Sequence, residues 1–297
     1  MGLRIVPDLY LTMLDAVSND RARLNAALQE ISTGRSVNSP SDNPAATAAL
    51  IENTAQTNNN DQFQRSISSV QGVLETADTV LGSVIASLNQ AIAVGTEGAN
   101  GAISPSQQQA LAQEVQSIQD TIQNLANTAY QGNYLFAGTA FSTQPFVTDP
   151  SSPSGVSYQG NNDTNKIQIG PSQYVSINLP GSTIFTASGS DVFQALHDLT
   201  TALQSGGNVA AALDEVHTAF NNLNMQRTFY GNALDELNSV NNNLSQQQLT
   251  LARETSTLIS ADPAKAASNL VQAEYTLNAA LSAFGRISQN TLLDFLK

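Results

Sequence analysis

FQRSISSVQGVLETADTVLGSVIASLNQA, residues 63–91, sets Phe63, Ile67, Val70, Leu74, Ala77, Leu81, Val84, Leu88 and Ala91 at alternating spacings of four and three, with no polar interruption. That rhythm keeps one apolar stripe on one side of a helix and carries it through four heptad-like repeats, which predicts a long helix in a coiled-coil-like bundle. Working toward the N-terminus, NSPSDNPAATAAL (38–50) offers Asp42 or Asn43 as a helix cap and Pro44 at the first helical position, where a missing N–H costs nothing. Working toward the C-terminus, Gly95, Gly98 and Gly101 punctuate the chain. Ser104-Pro105 then caps a second helix carrying Leu111, Val115, Ile118, Ile122, Leu125 and Ala129, which should lie antiparallel to the first.

Both ends of the chain carry the same kind of stripe. Tyr10, Leu14, Val17, Arg21, Leu24, Leu28 and Ile31 precede a stop at Thr33-Gly34, and Leu270, Ala273, Leu277, Ala280, Phe284 and Ile287 follow Ala261-Asp262-Pro263. These seams are thin and rich in alanine. Burying them yields only about 25 cal/mol per Å², against roughly 1–2 kcal/mol per residue to order the backbone. The expectation is that both ends are largely disordered in the free subunit and fold when neighbouring subunits cover them. Leu14, Val17, Leu24, Leu28, Ile31, Leu270, Leu277, Leu281, Phe284 and Ile287 are the candidate assembly residues.

Between Tyr134 and Ser190 the texture changes to Gly, Pro, Ser and Thr with short alternating runs. Lys166-Ile167-Gln168-Ile169 and Tyr174 to Leu179 read as strands, broken by Pro171 and Pro180-Gly181. So few apolar positions suggest a small module facing outward. Helix resumes at Ser190-Asp191 and pauses at Gly206-Gly207. From Asn208 it runs along Val209, Leu213, Val216, Phe220, Leu223, Tyr230, Leu234, Leu237, Leu244, Leu251 and Leu258, with Arg227, Asn241, Gln248 and Thr255 as polar substitutes in the seam. The fold class is mainly α: a long coiled-coil-like helical rod from the N- and C-terminal halves, with a β-rich domain inserted. The expected division is residues 1–40 plus 262–297 for terminal assembly, 41–133 plus 190–261 for the helical rod, and 134–189 for the β-rich insert.

Composition removes several classes of function. Of 297 residues only 6% are aromatic and 12% charged; the formal net charge is −13, and Lys166 is the only cation between Arg65 and Arg227. A nucleic-acid surface needs clustered cations to displace counterions, so none is expected. No cysteine is present, which removes disulfides, thiolate metal sites and thiol nucleophiles. Asp8, Asp15 and Asp20 interrupt the apolar residues near the start, so no secretory signal peptide is read there, and no membrane-spanning run is expected. His197 beside Asp198, and His217 after Asp214-Glu215, could in principle build a metal or acid–base site. They read instead as helix-surface histidines, and no phosphate loop, nucleophile elbow or HExxH pattern accompanies them. No catalytic residue, cofactor or metal is assigned.

Three stretches carry a resemblance: LQEISTGRSVNSPSDNPAATAAL (28–50), GNYLFAGT (132–139), and AEYTLNAALSAFGRISQNTLLDFL (273–296). Together they resemble the flagellin superfamily. TQPF (143–146), VSYQGNNDTNKIQIGPSQYVSINLPG (156–181) and the LLDFL ending are more similar to its hook–filament junction branch than to filament flagellin, which remains the alternative. The opening MGLRIVPDLYLTMLDA departs from the usual Ser/Thr-rich lead. The resemblance implies a structural, non-enzymatic flagellar subunit outside the cell, exported by the flagellar type III apparatus without a cleaved signal peptide. It implies a ring of identical subunits as the assembled form. The implied partners are a second junction protein, flagellin, and a cytoplasmic export chaperone on the C-terminal helix at Leu277, Leu281 and Phe284.

Overall fold

A computed structural model describes residues 7–100 and 103–295, with side chains at 11–100 and 103–286. Among the described residues the helices are α1 (Pro7–Thr33), α2 (Pro44–Gly98), α3 (Pro105–Ala126), the single turn α4 (Gly181–Ile184), α5 (Val192–Ser205), α6 (Val209–Ile259) and α7 (Pro263–Phe295). The strands are β1 (Ala129–Tyr130), β2 (Asn133–Tyr134), β3 (Phe146–Thr148), β4 (Val156–Tyr158), β5 (Lys166–Gly170) and β6 (Gln173–Ser176). The chain is therefore mainly α with a β-rich insert, as its periodicity predicts. It divides into two compact units, residues Met1–Asn59 with Gln246–Lys297, and residues Asn60–Ser245.

Local chemistry sets the helix ends. Gly34 takes the left-handed conformation (φ 67°) and donates its N–H to the Glu30 carbonyl, which closes α1 where Thr33-Gly34 predicts. Of the two cap candidates before α2, Asn43 performs the task, its Oδ1 accepting from the Ala46 N–H at 3.1 Å. Asp42 instead binds the preceding turn, accepting from the Asn38 and Ser39 N–H groups and the Ser39 hydroxyl. The Asn38 N–H first, and then Ser39, hold its carboxyl below the ordinary range. Ser104 and Gln107 form a reciprocal capping box at α3, and Asp191 caps α5 by accepting from the Gln194 N–H. Gly95 does not end α2. It stays inside the helix, where a Cβ would crowd Leu213 and Leu199.

In the second unit the stripe from Ile67 to Ala91 is buried without exception, and Phe63 packs at its edge. Helix α6 runs antiparallel to α2, as paired side chains show: Gln64 donates to Ser245 at 3.1 Å, Gln71 to Asn238 at 3.0 Å, and Arg227 forms a two-pronged pair with Asp78 at 2.7 and 2.9 Å. Val216, Leu223, Tyr230, Leu237 and Leu244 fill the seam between these polar rungs. Helix α3 packs on α5 and also touches α2, where Gln90 donates to Glu114.

The β-rich stretch corrects one expectation. Among the described residues it forms three separate antiparallel hairpins, β1–β2, β3–β4 and β5–β6. It is not a module facing away from the helices. Phe136, Phe146 and Phe185 are fully buried with Phe193 of α5, at ring-centre distances of 5.2–5.3 Å around Phe146 and Phe185, and they belong to the same apolar core as the α2 stripe. Four well-placed aromatic rings replace the many aliphatic residues that an independent domain would need. The predicted strand over Tyr174 to Leu179 is shorter than its alternation suggests, because Asn178 leaves the ladder to accept from the Asn165 N–H and donate to the Gly138 carbonyl.

Helix α2 also contains an 18-residue window of mean hydropathy 1.3, apolar enough by composition to cross a membrane, where no such run was expected. Of that window 44% is buried inside the protein, and the same helix carries the buried stripe from Ile67 to Ala91, so length and composition alone do not make it a membrane span.

Candidate assembly interface

Helices α1 and α7 lie against each other in the first unit. Their pairing begins at a short ladder. Ser36 N–H donates to the Ile259 carbonyl at 2.7 Å, Ala261 N–H donates to the Gly34 carbonyl at 2.9 Å, and Arg35 faces Ser260 as an isolated antiparallel bridge. Asp262 accepts from the Ala264 N–H at 2.8 Å and starts α7. The end of α1 is thus fastened to the start of α7, which sets the two helices antiparallel.

The seam between them is narrow. Among the described residues, Ala27 of α1 and Ala266 and Ala273 of α7 are the buried apolar residues of these two helices, and Ala27 and Ala273 line a shallow groove with Arg23, Ala26, Glu30, Asn269, Gln272 and Thr276. Among the candidate assembly residues, Val17, Leu24, Leu270, Leu277 and Phe284 are half-buried. The others face outward: Leu14 is 50% exposed, Leu28 47%, Ile31 44% and Leu281 45%. Ile287 has its side chain outside the described residues. Each stripe therefore divides, part covered by the partner helix and part in water.

Further apolar residues on these helices lie off the stripes. Leu11 is exposed on α1, and on α7 Val271 is 66% exposed and Tyr275 74%. Val271 and Tyr275 share one side of α7 with Ala267, Ser268 and Gln272. An i, i+4 spacing connects them, but only two members of that series are large and apolar, too few to stand out beside the stronger stripe at 270–287. A helix apolar on more than one face needs more than one partner. In the same unit, Ile51 of α2 and Leu249 of α6 are also exposed.

The charge chemistry on this surface is slight. Arg23 and Asp20 approach at 4.0 Å as neighbours on α1, with Arg23 largely in water. His197 sits half-buried on α5 and His217 is exposed on α6. Among the described residues no three ligating side chains converge as a metal site. Burial first, then the nearby Asp198, raises the Glu215 carboxyl above its ordinary value, as expected where two carboxylates crowd between α5 and α6.

Residues 8–140 match the bacterial flagellin N-terminal helical region, and residues 213–296 match the bacterial flagellin C-terminal helical region. The chain belongs to the flagellin family, whose N- and C-terminal helical regions here span α1 to α3 and most of α6 with α7. It is similar to flagellar hook-associated protein 3 of Escherichia coli strain K12, 27% identical over 304 residues that cover 93% of this chain and 94% of the relative. It is also similar to flagellar hook-associated protein 3 of Salmonella typhimurium, 28% identical over 238 residues, 72% of this chain and 73% of the relative. The crystal structure of flagellar hook associated protein-3 from Legionella pneumophila shares the fold, with a TM-score of 0.63 and 14% identity over 70% of this chain and 98% of that one.

Proposed function

We propose that this chain is a structural subunit of the bacterial flagellum that joins hook to filament. The observation that carries the reading is the end-to-end match to hook-associated protein 3, which runs through the β-rich centre as well as the family's two helical regions. The exposed residues Leu14, Leu28, Ile31 and Leu281 supply a physical means, since they leave α1 and α7 with apolar surface that copies of the chain and neighbouring flagellar subunits would cover. Residues 1–40 and 262–297 act as the assembly domain, residues 41–133 and 190–261 as the supporting rod, and 134–189 as the insert. The terminal pair becomes fully ordered on assembly, because its fully buried apolar residues, Ala27, Ala266 and Ala273, are all alanines and bury too little to hold it. The subunit forms a ring next to a second junction protein on one side and flagellin on the other. It leaves the cell through the flagellar export apparatus without a cleaved signal, and no enzymatic step is part of its role. Before export, Leu277, Leu281 and Phe284 present an amphipathic helix to a chaperone groove.

Deleting the gene in its own bacterium tests this reading. The expected phenotype is intact hooks without filaments, with flagellin monomer released into the medium and filaments restored by a plasmid copy. Normal filaments in the deletion strain, or absent hooks, would overturn it.

A further inference from the structure

A cleft of about 270 Å³ opens in the second unit between α2, the β1–β2 hairpin and the segment around Asn165. Its lining includes the aromatic residues Tyr130, Tyr134 and Phe141 and the amide residues Gln131, Asn133, Asn165 and Asn178. No lining residue carries a formal charge. Three features indicate a built site. Tyr130 lies close against Gly72 of α2, where a Cβ would overlap the phenol oxygen and push the ring aside. Tyr134 and Phe141 are joined by a hydrogen bond from the Tyr134 N–H to the Phe141 carbonyl at 2.9 Å. Asn165 is held at both backbone atoms: its N–H donates to buried Asn178 at 2.6 Å, and its carbonyl accepts from Ile177 at 2.9 Å.

Three of these amides have capacity to spare. Among the described residues, the side-chain amides of Gln131, Asn133 and Asn165 have no hydrogen-bond partner in the chain. Gln131 also sits at φ 50°, a conformation that costs a non-glycine residue energy and that Asn or Gly would adopt more readily in this turn. Aromatic faces suit the C–H-rich face of a pyranose, and neutral amides both donate to and accept from hydroxyls. A charged ligand would find no counter-charge here. A purely apolar ligand would strip water from three amides without replacing their hydrogen bonds.

We propose that this cleft binds a single neutral sugar ring, either a free saccharide or the first residue of a glycan carried by another protein. The volume lies just below the usual range for small-molecule sites, which limits the occupant to one ring. The test is a titration of the full-length chain with methyl glycosides of glucose, galactose and N-acetylglucosamine, read by amide chemical shifts. A second titration uses a short peptide with the same sugar on a threonine, and a third the bare peptide. Binding with Kd of about 1 mM and shifts confined to residues 130–141 and 165–178 supports the proposal. Tightening only with the glycopeptide identifies a protein-borne glycan, and equal binding of the methyl glycoside identifies a free one. Gly72→Ala and Tyr134→Ala should each weaken binding about tenfold, while Tyr134→Phe, which keeps the ring, should weaken it about threefold or less; circular dichroism verifies that each variant is folded. No localised shift with any of the sugars at about 20 mM, equal binding of the bare peptide, or binding unchanged in both Gly72→Ala and Tyr134→Ala would overturn the proposal.

Discussion

Replacing Leu28 and Leu281 together by Asp separates folding from assembly. Both leucines lie on the terminal helix pair and are nearly half exposed in the single chain. Fully burying a leucine contributes about 1.5–3 kcal/mol, so each half-covered side chain gives the free subunit about 1 kcal/mol. An aspartate at either position loses that contact but keeps its carboxylate in water. The free chain should therefore lose about 2 kcal/mol or less in urea unfolding followed at 222 nm. When a neighbouring subunit covers the site, the carboxylate is buried without a partner, at about 3–5 kcal/mol. At about 1.4 kcal/mol per decade, incorporation into hook-terminated structures should fall by two orders of magnitude or more. Met225→Asp is the control, placing one such charge at an exposed apolar position of the second unit, and it is compared with each single leucine variant as well as with the pair. Incorporation of the double variant within threefold of the unaltered chain would refute the assembly surface. So would an equal loss in Met225→Asp, since bulk repulsion rather than local burial would then be the cause.

The other predictions concern the second unit. Phe146→Ala removes a ring packed against Phe185, Phe193 and Tyr158 and should cost about 3–5 kcal/mol; hydrogen exchange should show α5 and the hairpins losing protection together, and intact helices beside molten hairpins would contradict a shared core. Tyr230→Phe leaves the Leu179 N–H without its acceptor and should cost about 1–3 kcal/mol at neutral pH, read by chemical denaturation. Burial raises the phenols of Tyr230 and Tyr158, so the unfolded chain ionises first; their stabilisation is complete below about pH 10 and falls as pH rises above it. Tyr230→Phe should therefore flatten the alkaline loss of stability, and an unchanged profile would refute that assignment. A double-mutant cycle over Asp78→Asn and Arg227→Gln should give a coupling of about 0.5–1 kcal/mol that shrinks in high salt, because the pair is bidentate but partly exposed; no coupling at low salt would remove it as a determinant of α2–α6 register.

Much of the architecture is local enough to be legible in the residues. A stripe such as Ile67 to Ala91 leaves a helix few alternatives, and Thr33-Gly34, Ser104-Pro105, Asp191 and Asp262-Pro263 act within a turn of themselves. Gly95 differs for the opposite reason: the close packing that favours a glycine inside α2 comes from Leu199 and Leu213, more than a hundred residues away. The short hairpins β1–β2 and β3–β4 leave no signature in the residues because two or three residues carry no period, and the four phenylalanines of the shared core are scattered from position 136 to 193.

The assembly residues show the same division more finely. Spacing placed Leu14, Leu24, Leu28, Leu277 and Leu281 on apolar helix faces, but a helix has only one periodicity and cannot say which part of a face its partner covers. Pairing α1 with α7 through Ala27 and Ala273 decides that, turning Leu24 and Leu277 partly inward while Leu28 and Leu281 remain outside. It also exposes Val271 and Tyr275, whose significance depends on what lies across from them rather than on what precedes them in the chain. Helices, caps and seams are set by neighbours in sequence, whose geometry is the same in every α-helix. Which apolar atoms reach water depends on contacts between distant segments, and only the tertiary structure contains those.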